Sequence, residues 1–165
     1  MTNTKLDKSF NSSMDNAFHA FSILSECSKQ KCKQYQKMEK DVNKKYSALR
    51  QNIKFKDLKQ WSKDIENLNL QNDSELHELY KCIISECNNA LIKVIQNRMN
   101  VDKVQLQHTQ VALKKNSSNS ATKQMLMNDM KRQQTRMIRD KQLLADATKG
   151  NLKPSQYRAA LLGQQ

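Results

Sequence analysis

The four cysteines are the residues of this chain whose type and spacing could do chemistry. They form two C-x4-C pairs, Cys27 with Cys32 and Cys82 with Cys87. Structural zinc usually needs shorter spacings in segments that wrap the ion. Five residues of helix turn through about 140°, so the two thiols of a pair should diverge. We therefore expect neither a metal site nor disulfides, and Cys87 becomes an apolar filler of a helix seam.

No other set of residues has the spacing of a catalytic site. The three histidines are isolated from one another, and no serine or cysteine lies in a nucleophile motif. Both glycines lie near the C-terminus, which leaves no glycine-rich loop for a phosphate. The sequence therefore predicts a protein that is not an enzyme and that uses no cofactor.

The strongest compositional signal is positive charge, because the 165 residues carry a formal net charge of +13. One basic stretch runs from residue 29 to residue 45. A second contains our candidate contact residues, Lys131, Arg132, Arg136 and Arg139. Such stripes favour an acidic protein, nucleic acid or an anionic membrane surface as the partner. The alternative is that these side chains only solvate exposed helices.

A heptad stripe between Leu76 and Val111 specifies the main structural element. It predicts one helix from Ser74 to about Lys115, with an apolar seam that another helix must cover. Asn97 and His108 are polar interruptions of the stripe. The residues that we expect in the seam are Leu76, Tyr80, Ile83, Cys87, Val94, Val101, Val104 and Val111.

A weaker heptad runs through the N-terminal part of the chain. Residues 1–11 are polar and are expected to form a flexible tail, with Ser12 or Ser13 capping a helix that begins near Met14. After Ile53 the phase of the apolar residues slips. Either one helix continues to residue 68 with a kink, or a new helix begins at Asp57.

Turn residues divide the C-terminal part of the chain. Residues 116–120 form a loop, and a further helix should run from about Ala121 to Thr148. Gly150 should end that helix. A short last helix is expected to end at Gly163, and its apolar patch could dock on this chain or another. The docking candidates are Tyr157, Leu161 and Leu162.

Short links between long helices favour antiparallel neighbours. In one register of the first two helices, partners sum to about 125 in residue number, which pairs Leu24 with Val101. In the other they sum to about 144, which pairs Leu49 with Val94. The sequence does not decide between them. A third possibility is an intermolecular coiled coil.

Together these patterns predict an all-α fold. We expect an elongated antiparallel helical hairpin or bundle with coiled-coil packing, made of three long helices and a short C-terminal helix. The expected divisions are a tail at 1–11, a coiled-coil domain at 12–149 and a C-terminal tail at 150–165.

The function expected from this fold is that of a non-enzymatic subunit of a larger assembly, with a structural, scaffold or adaptor role. Its partners would be other protein subunits, and self-association is possible. The first alternative is sequence-independent nucleic-acid binding. The second is peripheral membrane binding, in a layout that resembles BAR-like or ESCRT-III-like proteins without any of their motifs. No export signal or membrane span is visible, so we expect a reducing, cytoplasmic location or carriage in a particle.

Overall fold

The computed structural model describes residues 2–37, 40 and 73–163. Within these ranges the chain forms helices and no strand, so the fold is an all-α helical bundle, as predicted. The elements are α1 (Thr2–Lys31), α2 (Asp73–Glu86), α3 (Asn88–Lys115), α4 (Ser120–Lys149), a 3-10 turn (Pro154–Gln156) and α5 (Tyr157–Leu162).

The chain divides into two compact units. The first unit contains Met1–Ser25 and Asn88–Gln165, and the second contains Glu26–Cys87. The predicted phase change after Ile53 and the choice of helix at Asp57 lie outside the described residues.

Helices α3 and α4 form an antiparallel hairpin in the first unit. Near one end of the pair, the Asn88 side-chain amide donates to the carbonyl of Ala147 at 3.0 Å. Near the other end, the Thr109 hydroxyl donates to the side-chain oxygen of Gln133 at 3.1 Å. The two contacts occur in opposite order along the two helices, as an antiparallel pair requires. The buried apolar residues of α3, α4 and α5 are Leu91, Val94, Ile95, Leu143, Ala147, Tyr157, Ala160 and Leu161.

The ends of α4 lie within a residue or so of the predicted ones, because local signals define them. The side chain of Asn119 accepts a hydrogen bond from the backbone N–H of Thr122 at 3.2 Å, which caps the first turn. Gly150 has a φ of 71°, a left-handed conformation that favours glycine and ends the helix.

The start of α1 differs from the prediction. The helix begins at Thr2, so residues 2–11 are helical and do not form the expected tail. Ser13 does not cap the helix; its hydroxyl donates to the carbonyl of Phe10 at 2.7 Å, one turn earlier. A serine inside a helix commonly donates to a preceding carbonyl in this way, so the presence of a serine alone does not identify where a helix begins.

The helix predicted from Ser74 to Lys115 is interrupted at Cys87, which lies between α2 and α3. The most buried positions of α3 also differ from the predicted seam. The buried positions are Leu91, Val94, Ile95, Asp102 and Thr109, of which only Val94 belongs to the predicted seam. Val94 is buried as expected, but Val101, Val104 and Val111 are half-buried. The difference arises because α3 packs against α4, and that contact uses a neighbouring stripe of the helix.

Candidate functional site

A buried ion network joins α3 to α4. The Asp140 carboxylate has no exposed surface, and Arg98 binds it with two hydrogen bonds, Nε to Oδ2 at 3.1 Å and Nη2 to Oδ1 at 2.9 Å. Arg139 adds a third contact, from Nη2 to Oδ1 at 3.3 Å. A bidentate guanidinium–carboxylate pair fixes both distance and orientation. Asp140 therefore sets how α3 and α4 face each other.

The same arginine holds the C-terminal helix. The second terminal nitrogen of Arg98 donates to the carbonyl of Ala160 at 3.1 Å. Two of the predicted docking residues, Tyr157 and Leu161, are buried, whereas Leu162 is 45% exposed. Helix α5 thus packs on its own chain within the first unit.

Asp102, on α3, is the second buried carboxylate of this network. Only 6% of its surface is exposed, and its nearest cation is Arg136, with 3.4 Å between Nη2 and Oδ1. Burial is the largest influence on its pKa and raises it above the ordinary value of 3.8, while Arg136 opposes that rise. Asp140 nearby raises the pKa of Asp102 further, because the two negative charges repel.

An open groove of about 610 Å³ lies beside this network. His108 is at its wall, where the ring packs edge-on against Phe10 with 6.0 Å between ring centroids. The Nε2 atom of His108 is 3.8 Å from Asp7, too far for a hydrogen bond. The groove combines cations, an acid and amides and has no single chemical character. Its lining residues are Phe10, Gln105, His108, Thr109, Asp129, Arg132, Gln133 and Arg136.

The predicted basic contact residues do not form one free stripe. Arg136 pairs with Asp102, Arg139 with Asp140, and Arg132 with Asp129 one turn before it. The arginines therefore take part in ion pairs inside the chain. Lys131 is exposed and forms no ion pair among the described residues. The three arginines lie on one side of α4, as their spacing predicts, but only Arg136 pairs with a residue of α3, and the partners of Arg132 and Arg139 belong to α4 itself.

Two disulfides contradict the prediction of reduced thiols. Cys27 is bonded to Cys87 and Cys32 to Cys82, each with 6.1 Å between Cα atoms, within the ordinary range of roughly 4.4–6.8 Å. The divergence of two thiols on one helix does not matter here, because each thiol finds its partner on another segment. A thiol in a disulfide is also not available as a zinc ligand.

The disulfides define a register that neither expected register contains. Sequence separation falls from 60 residues for the outer bond to 50 for the inner one. A step of five residues forward on one segment therefore matches a step of five backward on the other. The two equal C-x4-C spacings were the signal that could have predicted this antiparallel pairing.

The same two disulfides show that the expected cytoplasmic location is wrong. Disulfides form and persist in oxidising environments and are rare where glutathione keeps thiols reduced. Two structural disulfides point to an oxidising, non-cytoplasmic compartment.

Neither a membrane-spanning helix nor a cluster of metal ligands occurs in the described part of the chain. No described helix is both long enough and apolar enough to cross a membrane. Over the same part of the chain, no three histidine, cysteine or acidic side chains lie close enough together to hold a metal ion.

The fold and the cysteines define the class of this protein as an all-α helical protein with two disulfides in an antiparallel arrangement. Comparison with protein-family models, with curated protein sequences and with solved structures finds no match.

Proposed function

We propose that this protein is a non-enzymatic helical subunit of a larger assembly, and that it works in an oxidising compartment by docking a partner protein on helix α1. The observation that carries this proposal is a pair of exposed aromatic residues. Phe18 is 66% exposed and Phe21 is 47% exposed. They lie three residues apart, so both side chains are on one face of the helix.

Two phenylalanines on one exposed face are costly for a protein that acts alone. Adjacent apolar side chains leave water-exposed surface that a partner can cover, and large apolar patches mark protein-interaction sites. Aromatic residues also provide much of the binding energy at the centres of interfaces. A rigid helix presents such a pair in fixed geometry, which supports the role of a structural or adaptor subunit.

The experiment replaces both aromatics by serine, as the Phe18→Ser/Phe21→Ser variant. Affinity purification of the oxidised protein from its native source should yield a stoichiometric partner protein that stays bound at moderate salt. Because loss of one central aromatic typically costs about 2 kcal/mol or more, the double variant should bind that partner at least about 30-fold more weakly.

Ile23→Ser is the matched control. Ile23 is 43% exposed on the same helix, but it lies about 140° or more around the helix from both phenylalanines. The control should keep its affinity for the partner. A wild-type protein that is a monomer and co-purifies with nothing would contradict the proposal, and so would equal losses in the aromatic variant and the control.

A further inference from the structure

The strongest unassigned feature of the first unit is the difference between its arginines, most of which form ion pairs, and its lysines. Residues 88–165 carry nine lysines and five arginines against four aspartates, a net charge of +10. Arg98, Arg132, Arg136 and Arg139 are used in ion pairs with aspartates. All nine lysines are exposed, and none forms an ion pair among the described residues.

Four of these lysines lie on one face of α4. At 100° per residue they fall, together with two exposed apolar side chains, within a sector of about 80°. This sector is opposite the side of α4 that carries Asp140, Leu143 and Ala147, all buried. We call it the outer face of α4; the residues that give it its charge and its exposed apolar surface are Lys123, Met127, Lys131, Ile138, Lys141 and Lys149.

The outer face combines positive charge with exposed apolar surface. Ile138 is 72% exposed and Met127 is 37% exposed, and lysines lie before and after each of them along the helix. The face extends about 39 Å from Lys123 to Lys149. Asp146, the acid nearest to the C-terminal end of α4, accepts hydrogen bonds from Gln142 and Gln156; Lys149 and Lys153 attract it less strongly and form no ion pair with it.

We propose that the outer face of α4 binds an anionic membrane surface, with the helix lying in the plane of the headgroups. Lysine ammonium groups would contact the lipid phosphates, while their aliphatic chains and Ile138 reach towards the acyl region. This binding goes beyond the proposed docking of a protein, because it uses a different helix.

Charge complementarity alone would also allow nucleic acid, but three observations favour a membrane. Three of the arginines, which could bind phosphates in bidentate fashion, are instead paired with the buried carboxylates of Asp140 and Asp102. An exposed isoleucine at the middle of the face gains nothing from a phosphodiester backbone but gains from the edge of the acyl region. The disulfides indicate an oxidising compartment, unlike the cytosol and the nucleus.

The test is co-sedimentation of the oxidised full-length protein with vesicles. One set contains phosphatidylcholine and phosphatidylglycerol in a three-to-one ratio, and the other contains phosphatidylcholine alone. Wild type should pellet only with the anionic vesicles. Changing Lys123, Lys131, Lys141 and Lys149 to glutamine should lower the partition coefficient on the order of 100-fold, because each surface lysine contributes to attraction by anionic lipid.

The chain offers a control with an identical change in charge. Helix α3 carries four exposed lysines of its own, on the side away from its buried stripe, and changing them to glutamine should leave most vesicle binding intact. These residues are Lys93, Lys103, Lys114 and Lys115. In a separate variant, Ile138→Ser should weaken vesicle binding roughly fivefold, because it removes an apolar side chain from the contact.

Three outcomes would overturn the proposal. The first is equal loss in the two lysine variants, which would mean that net charge alone attracts the protein. The second is failure of wild type to prefer anionic vesicles. The third is a protein whose vesicle binding does not depend on Ile138 and which binds duplex DNA or RNA more tightly than vesicles. Phe18→Ser/Phe21→Ser should bind vesicles normally, which separates this test from that of the proposed protein docking.

Discussion

In the second unit, two disulfides join the end of α1 to Cys82 in α2 and to Cys87, the residue that follows α2. In the first unit, α3 and α4 are joined by packing and by ion pairs. There, Asp140 is buried between Arg98 and Arg139, and Asp102 faces Arg136. The two kinds of link respond to different conditions. Disulfides depend on the redox state, whereas a buried ion pair depends on the protonation of its carboxylate and on the presence of both charged partners.

The largest expected effect comes from removing both disulfides of the second unit. The outer bond closes a loop of 60 residues in sequence, which in the chain-entropy model stabilises the folded state by about 4 kcal/mol. The inner bond is nested within it and closes only a short further loop, which adds about 2–3 kcal/mol. Reduction should therefore cost the second unit about 7 kcal/mol, measured by hydrogen exchange of α2 amides.

The nested arrangement also predicts a non-additive result. Cys27→Ser/Cys87→Ser and Cys32→Ser/Cys82→Ser each leave one bond that still closes the long loop, so each should cost only about 2–3 kcal/mol. Amides of α3 and α4 near Asp140 should keep their protection after reduction, since no disulfide joins those helices. Equal loss of protection in both units would show that the comparison between them is wrong.

In the first unit, the largest expected effect is that of Asp140→Ala. The change removes the carboxylate that Arg98 and Arg139 share, and leaves two partly buried guanidinium groups without their partner. Breaking a buried pair on one side typically costs 3–5 kcal/mol; because Arg98 is partly exposed, we expect about 3 kcal/mol, measured by urea unfolding.

Asp129→Ala is the control for Asp140→Ala. Asp129 pairs with Arg132 within the same helix, and the Arg132 side chain is 72% exposed. An exposed pair of this kind should contribute less than about 1 kcal/mol. If both alanine variants lose the same stability, burial is not what gives the Asp140 pair its importance.

The elements of the C-terminal part could be predicted because local residues define them. Asn119 caps the start of α4 with its side chain, and Gly150 ends the helix through its left-handed backbone conformation. Neither signal depends on what the helix packs against. The start of α1 and the register of the cysteines could not be predicted in the same way. Both depend on tertiary pairing, and a thiol's partner is set by a segment distant in sequence.

The arginines of α4 show why the candidate site was only half predictable. Their spacing correctly places Arg132, Arg136 and Arg139 on one side of a helix, but spacing does not say which side meets α3. The residues that could have shown this are Asp102 and Asp140. An acidic residue in the middle of a mostly basic helix is buried only with a cation beside it, so each aspartate indicates which side of its helix faces inward. The outer face of α4 can be identified only when the buried side of the helix is known.

The pH dependence of the first unit should reveal Asp102. Its pKa is raised in the folded protein above the ordinary 3.8, mainly because it is buried. The folded state therefore holds the proton at pH values where the unfolded chain has lost it. Stability should fall as pH rises through the raised pKa, and it should recover as pH falls towards 3.8.

Urea unfolding from neutral pH down to pH 3.8 would measure this dependence in wild type and in Asp102→Asn. The amide cannot titrate, so the stability of wild type relative to the variant should increase as pH falls through this window. Identical pH profiles would mean that the carboxylate is no more costly to ionise in the folded protein than in the unfolded chain.

The smallest expected effect concerns Asp146, near the end of α4. Hydrogen bonds lower the pKa of this carboxylate below 3.8, the first and larger from Gln156 at 2.9 Å and the second from Gln142 at 3.1 Å. Both amides donate to the ionised form. The stabilisation is therefore present above pH 3.8 and is lost as pH falls through the lowered pKa.

Gln156→Leu should raise the pKa of Asp146 towards 3.8, measured by carbon NMR of the carboxyl group. Gln142→Leu is the matched comparison and should raise it by a smaller amount, since its hydrogen bond is the weaker influence. The order of the two shifts matters more than their size, because it tests whether the turn after α4 is held against the helix. If Gln142→Leu has the larger effect, Asp146 is fixed mainly by its own helix, and its hydrogen bond to Gln156 is not what holds the turn after α4 in place.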